Sequence, residues 1–244
     1  MEVLVARDLA VECNGKSIVT YARLSLSKGD IAILIGPNGS GKSSLLNALA
    51  GHPRYKVVRG RVLLYGRDIT GLPPYERFRL GLGIAVQNPP RLKGVKLRTI
   101  LEAIVRRRGG EVSEVQRIAK ALSIEHLLDR DFGVGFSGGE MKRAEIAMLL
   151  AQRPRVALVD EPDSGVDVDS VMIIASALDE LMKSATDALL IVTHSGMIAK
   201  HIRATKVYVM MNGRVVLESP KFEVLSEVLS KGFKWIMEGG GSGR

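Results

Sequence analysis

The 244-residue sequence predicts an α/β fold in which a mostly parallel sheet is joined by an antiparallel β subdomain and interrupted by a helical subdomain. Three observations carry that prediction. Residues 31–35 are a continuous aliphatic run without polar alternation, the pattern of a strand buried on both faces, and they feed directly into G-P-N-G-S-G-K-S-S at 36–44. Two further aliphatic runs, 156–159 and 189–193, lead into Asp160-Glu161 and His194. Between the first run and these two, residues 97–128 change to helical spacing, with apolar side chains at Ile100, Leu101, Ile104 and Val105 and again at Val115, Ile118, Ala119 and Leu122.

Taken in order, residues 3–13 and 17–26 alternate loosely and read as antiparallel strands closed by the turn signal Ser27-Lys28-Gly29-Asp30. After the first buried strand, Leu45, Leu46 and Leu49 mark a helix ended by Gly51. Ser137 starts a long helix, and its Ser-Gly-Gly opening leaves backbone N–H groups available to an anion. Asn212-Gly213 between 207–211 and 214–217 is the strongest hairpin signal. Val224, Leu225, Val228, Leu229 and Trp235 predict a last amphipathic helix. These elements give one domain over about 1–238, with its core at about 1–90 and 153–220 and the helical subdomain at about 91–152. The C-terminal helix spans about 221–238, and a flexible tail follows at 239–244.

The composition, 46% hydrophobic, is enough for a full core, while the apolar runs are far shorter than the ~20 residues that cross a bilayer. With no signal-peptide pattern at the start, a cytoplasmic protein without direct membrane insertion is expected. The single cysteine, Cys13, excludes an intramolecular disulfide and a multi-cysteine metal cage built within one chain. A net charge of +9 suits an anionic partner. The densest basic run, 106–108, either caps a helix C-terminus as a solvated face or touches nucleic acid; no aromatic-interleaved basic stripe accompanies it, and direct nucleic-acid binding is not expected.

Chemistry concentrates in the runs that follow the aliphatic strands. Gly36, Gly39 and Gly41 permit a loop that wraps phosphates with inward N–H groups, Lys42 neutralises β/γ oxygens and Ser43 holds Mg²⁺. Pro37, Asn38, Ser40 and Ser44 complete that nucleotide-binding loop. Asp160, at a strand end, belongs beside the same metal, and Glu161 one step further on suits activation of a water; helix capping is the bland alternative for the pair. His194 is either a structural histidine or a contact to the γ-phosphate and its water. Gln87 is either an ordinary loop glutamine or a neutral amide that reaches the metal and water.

These motifs together, from the glycine loop through F-S-G-G-E at 136–140 and V-A-L-V-D-E-P at 156–162 to I-V-T-H at 191–194, resemble the ABC ATPase cassette over nearly the whole chain. The resemblance implies a P-loop NTPase core of ABC type that hydrolyses ATP with Mg²⁺. It implies a metal set of Ser43, Gln87 and Asp160 and a catalytic set of Glu161, His194 and Gln87. It also implies a head-to-tail homodimer formed on ATP binding, in which Ser137, Gly138 and Gly139 cap the nucleotide held by the other chain and Asp167 crosses the interface. The sequence departs from the family pattern in three places. Phe136 and Glu140 replace leucine and glutamine in the signature, Gly165-Val166 stand where Ala-Leu is usual, and Cys13 occupies the position of the adenine-stacking aromatic.

Shorter runs narrow the resemblance. The signature with Lys142-Arg143, the run 163–169, Gln87-Asn88-Pro89-Pro90 leading to Gly94-Val95, and G-F-K-W-I at 232–236 look like the SufC ATPases of the SUF iron–sulfur cluster assembly system. That implies a soluble SufB- or SufD-like scaffold as partner, and the loop 88–96, with its two prolines and the cations Arg91, Lys93 and Lys96, is expected to dock it together with the adjoining helical subdomain. The alternatives are the ATP-binding subunit of a membrane transporter, whose partner would dock near Gln87, and a nucleic-acid-linked ABC protein. The last kind usually carries two cassettes or a long coiled-coil insert, and this sequence has neither.

Overall fold

The computed structural model describes residues 1–87, 89–220 and 223–237. Strands β1 (Glu2–Cys13) and β2 (Lys16–Ser27) form a hairpin, and β3 (Ile31–Ile35) runs into the glycine loop that opens α1 (Lys42–Ala50). The chain then adds β4 (Tyr55–Leu64), β5 (Arg67–Asp68), α2 (Pro74–Arg79) and β6 (Leu82–Ala85). The helical part comprises β7 (Leu92–Lys96), α3 (Leu97–Arg107), α4 (Glu114–Ala121), β8 (Asp131–Phe132) and α5 (Gly138–Gln152). Strand β9 (Val156–Asp160), α6 (Val168–Ser184) and β10 (Ala188–Thr193) return to the sheet, which the hairpin of β11 (Lys206–Met211) and β12 (Arg214–Ser219) extends before α7 (Glu223–Lys231) and α8 (Lys234–Met237).

Among the described residues, ten strands share one sheet in the order β5-β4-β1-β2-β12-β11-β3-β10-β9-β6. From β11 to β6 every neighbour is parallel, whereas β5, β4, β1 and β2 pair antiparallel. All residues of β3, β9 and β10 are buried, and their side chains alternate between two cores. Ile31, Ile33 and Ile35 join the core under the helices α3 to α7, while Ala32 and Leu34 join the core formed by α1 and the antiparallel arm. A strand serving two apolar layers cannot alternate with polar residues, which is why its sequence reads as an unbroken aliphatic run.

The hairpin at Asn212-Gly213 forms as expected, with both residues at positive φ (48° and 75°) as a primed turn requires. Three stretches differ from the sequence reading. Residues expected as a loop before position 97 form β7, paired with β8, and Asn88 itself lies outside the described residues. The single C-terminal helix expected at about 221–238 is two, α7 and α8, because Gly232 between them adopts φ 79°. Positions 221, 222 and 238 and the tail 239–244 are outside the described residues. The segment from β4 to α2 carries structure that the sequence reading left unassigned.

Candidate functional site

Gly41 precedes α1 at φ 103° with no side-chain cap, so the first-turn amides of that helix face the loop that precedes it. The loop is seated tightly. A Cβ at Gly36 would collide with the carbonyl of Met210, one at Gly41 would lie 3.2 Å from Ile18 O, and the Gly213 amide donates to Ser40 O at 2.9 Å. The opposite end of α1 is held by Arg77, almost fully buried, whose guanidinium donates to Ala48 O (2.9 Å) and Leu49 O (2.7 Å). A cation on the carbonyl end of the helix favours the same dipole direction that favours an anion at the loop. Nothing in the local sequence around Arg77 pointed to this role.

A cavity of ≈590 Å³ opens over the loop and is lined by Asn38, Lys42, Ser43, Gln87, Glu161 and His194, among others. Lys42 is 4% exposed and folds back on its own loop, donating to Gly36 O (2.7 Å) and Pro37 O (3.0 Å); burial lowers its pKa, partly offset by Glu161 and Asp160. Ser43 Oγ donates to Asp160 Oδ1 at 3.0 Å. Burial pushes the Asp160 carboxyl up to about 6, with the Ser43 bond working against it. These hard oxygen donors suit Mg²⁺, the ion that offsets phosphate charge in sites of this kind.

Glu161 follows at φ 49°, a left-handed conformation that costs a non-glycine residue of order 1–3 kcal/mol, and its amide is fixed to Val192 O at 2.9 Å. Its carboxylate accepts from Gln87 Nε2 at 2.5 Å, and its other oxygen lies 3.4 Å from His194 Nδ1, a buried nitrogen without a hydrogen-bond partner. The structure thus gathers 36–44, Gln87, Asp160, Glu161 and His194 into one place, and the capping alternative for the Asp-Glu pair has no helix start to act on.

Asp163 was read only as part of a motif run, yet it holds this corner together. Its buried carboxylate accepts from Thr193 Oγ1 (2.9 Å), Ser195 Oγ (2.6 Å) and the Ile198 amide (3.0 Å), so it grips the chain on both sides of His194. The only signal in the sequence was a third carboxylate two residues after Glu161.

Ser137, Gly138, Gly139 and Asp167 form a second, separate group that does not line the cavity. Ser137 caps α5 through a reciprocal box, with Glu140 N donating to Ser137 Oγ (3.2 Å) and Ser137 N to Glu140 Oε2 (2.7 Å). His126 also meets Glu140 at 2.9 Å, and these contacts hold the Glu140 carboxyl down at about 2. Asp167 caps α6 by accepting from Ser170 N at 2.7 Å. The glycines have a packing reason: a Cβ at Gly139 would meet Ser170 Oγ at 2.6 Å, and one at Gly138 would meet Gly165 O at 3.1 Å. Cys13 pairs across the sheet with Tyr55 and Lys16, and the cavity rim on that side is formed by Ile18.

The family description "ABC transporter" matches residues 19–164, more than half of the chain. This chain is an ABC-family ATP-binding cassette. Among curated relatives, vegetative protein 296 of Bacillus subtilis is 35% identical over 96% of this chain and 93% of its own length. A probable ATP-dependent transporter, ycf16, of Cyanidium caldarium is 34% identical over 97% of each chain. The fold matches a nucleotide-free ATP-binding cassette from an ABC transporter, with a TM-score of 0.80 at 30% identity over 94% of this chain and 96% of that one. It also matches the ADP conformation of an ABC transporter cassette, with a TM-score of 0.79 at 30% identity over 98% and 99%. The cassette is therefore an ATPase.

Proposed function

We propose that this cassette hydrolyses Mg-ATP to drive a conformational change in a soluble, SufB- or SufD-like iron–sulfur assembly scaffold, as a SufC-type ATPase. The first-turn amides of α1 and Lys42 bind the phosphates, while Ser43, Asp160 and Gln87 would hold Mg²⁺, which would supply charge neutralisation when bound. Glu161 takes the proton of the attacking water, and Gln87 and His194 orient that carboxylate. The observation that carries the hydrolytic part is the convergence of Gln87 and His194 on Glu161 beside Ser43 and Asp160. Ser137 to Gly139 and Asp167 serve the nucleotide of a second copy in an ATP-dependent homodimer, a reading supported by their absence from the lining of their own chain's cavity.

Support for the scaffold comes from the motif runs at 136–143 and 163–169 and from a single cysteine that leaves cluster binding to another chain. Every residue of β7 is exposed, presenting Lys93 and Lys96 with Leu92 and Val95, and Arg91 beside it is exposed too. A groove of ≈570 Å³ between α2, β6, α3 and α5 adds Tyr75, Phe78 and Met148 under Arg79 and Arg107, a surface for an apolar segment with acidic flanks. The transporter reading keeps a specific support, the name of ycf16 as a probable ATP-dependent transporter and the names of several Streptococcus pyogenes proteins as probable ABC transporter ATP-binding proteins, 35% identical over 89% of this chain. No helix among the described residues is long and apolar enough to cross a membrane, so in that reading the membrane part is a separate subunit.

Affinity capture from native extract distinguishes the two. A soluble scaffold is expected, and its binding is expected to be lost when Arg91, Lys93 and Lys96 are all replaced by glutamate, with ATP binding by the isolated cassette unchanged. Capture of an integral membrane protein instead would establish the transporter reading, and unaltered scaffold affinity in the triple variant would move the docking surface elsewhere.

A further inference from the structure

Glu145 lies on α5 three residues after Lys142, and nothing described above gives it a task. Its residue is 3% exposed and its Oε1 has no hydrogen-bond partner, a costly arrangement at a helix position that would ordinarily carry an apolar side chain. Lys142, 7% exposed, is equally expensive, and the two approach each other only to 3.9 Å, so their mutual attraction does not account for burying both. What they share is a target. The backbone amide of Val86 faces the Glu145 carboxyl and favours its charged form, and Lys142 Nζ donates to Gln87 O at 2.8 Å. One helix therefore holds the C=O of Gln87 by a hydrogen bond and sets a carboxyl beside the N–H of Val86, and from that segment the Gln87 side chain leaves to meet Glu161 at 2.5 Å.

We propose that Lys142 and Glu145 are a positioning pair for Gln87, which rests on the roles given above to Gln87 and Glu161. The pair fixes the backbone of Val86-Gln87 so that the Gln87 amide stays on Glu161, and it ties that placement to the helix whose N-terminus carries Ser137 to Gly139. Lys142 lies five residues from Ser137, about 7.5 Å along the helix axis. A helix this short moves as a unit, so displacement at its Ser-Gly-Gly end, where a second cassette's nucleotide would bear, is passed to Gln87 through two buried side chains. Each phosphate site thereby senses occupancy of the other through its own α5, since Gln87 responds to a helix whose end serves the opposite nucleotide.

The test combines an exchange measurement with kinetics. In nucleotide-free protein, Glu145→Leu should raise amide hydrogen exchange in the peptide covering 82–87 by roughly tenfold or more, because the Val86 N–H loses the carboxyl that faces it. In steady-state ATP hydrolysis the same variant should lose roughly tenfold in kcat with KM for ATP changed less than about threefold. Glu145→Gln keeps an acceptor oxygen and should stay near the unsubstituted protein in both measurements. In a Gln87→Ala background, Glu145→Leu should cost less than about twofold further, because it acts through Gln87. Unchanged exchange at 82–87, or an equal kinetic loss with and without Gln87, overturns the proposal. Should Glu145→Leu not fold, Lys142→Met removes the Gln87 carbonyl bond instead and is held to the same outcomes. A protein that hydrolyses no ATP would refute the roles of Gln87 and Glu161, and the exchange result would still decide whether Glu145 holds the Val86 amide.

Discussion

The phosphate pocket and the Ser137–Gly139 platform use charge in opposite ways. In the pocket Lys42 and Asp160 are buried, and both are shifted toward their neutral forms; Glu161 sits in a left-handed backbone conformation. On the platform Glu140 and Asp167 each cap a helix, accept backbone amide bonds from their own chain, and are held below the ordinary carboxylate range. The pocket is an arrangement the fold maintains at a cost, and the platform is stable as it stands. Substitution of a pocket residue should therefore damage turnover more than stability, and substitution of the capping Glu140 the reverse.

The largest effect is expected at Glu161. Glu161→Gln should retain ATP binding while hydrolysis falls by roughly two orders of magnitude or more, because only proton acceptance is lost. Light scattering of that variant with ATP should show a dimer, and without nucleotide a monomer. Turnover equal to that of the unsubstituted protein would remove Glu161 from the role of base. A monomer at saturating ATP and roughly tens of micromolar protein would assign the platform to a different chain.

Next in size is Asp163, the carboxylate that joins the two halves of the pocket's far wall. Asp163→Ala frees Thr193, Ser195 and the Ile198 amide at once, and His194 loses its fixed place beside Glu161. We expect roughly a tenfold loss of kcat, and little further loss when the substitution is made in a His194→Ala background. Full additivity of the two substitutions would show that Asp163 matters for stability alone.

How much of this was legible in the sequence depended on whether the signal was local. Ile31–Ile35, Val156–Asp160 and Ala188–Thr193 read correctly because burial on both faces writes itself into every residue of a strand. Asn212-Gly213 was legible as a turn, whereas Asn14-Gly15, with the same φ signs (51° and 76°), went unremarked because the flanking strands carry polar residues that blur the alternation. Strand β4 was hidden for the same reason, since four of its first seven residues are Lys56, Arg59, Gly60 and Arg61. The long-range bonds of Arg77, Asp163 and Glu145 join residues that no spacing rule connects, and only the folded chain brings their partners together. Glu140 stands out in the sequence only as a departure from the signature, and the capping box and His126 that use it within the chain are visible only in the fold.

The smallest effects test the comparison most directly, because α5 carries one glutamate of each kind. Burial, countered in part by Lys142, raises the Glu145 carboxyl from 4.5 to about 8, whereas His126 and the Ser137 amide lower Glu140 to about 2. For Glu145 the folded state binds the proton more tightly, so its cost to stability is absent below pH ~4.5, grows as the pH rises, and is complete above ~8. Glu145→Gln should therefore gain in melting temperature relative to the unsubstituted protein as the pH rises from 5 to 8.5. For Glu140 the sign is reversed: its contribution is present above pH ~4.5 and is lost as the pH falls toward ~2. Glutamine at 140 still closes the box but gives up the charge facing His126, whose side chain is 58% exposed, so solvent screening limits the loss to under about 1 kcal/mol, roughly 2–4 °C for a chain of this size. The two variants should thus diverge from the unsubstituted protein in opposite directions at pH 7.5 and converge on it near pH 4.5 for Glu145→Gln and at lower pH for Glu140→Gln. A Glu140→Gln difference that widens on acidification would mean that its stabilisation does not come from charge, and the contrast between pocket and platform would then rest on packing.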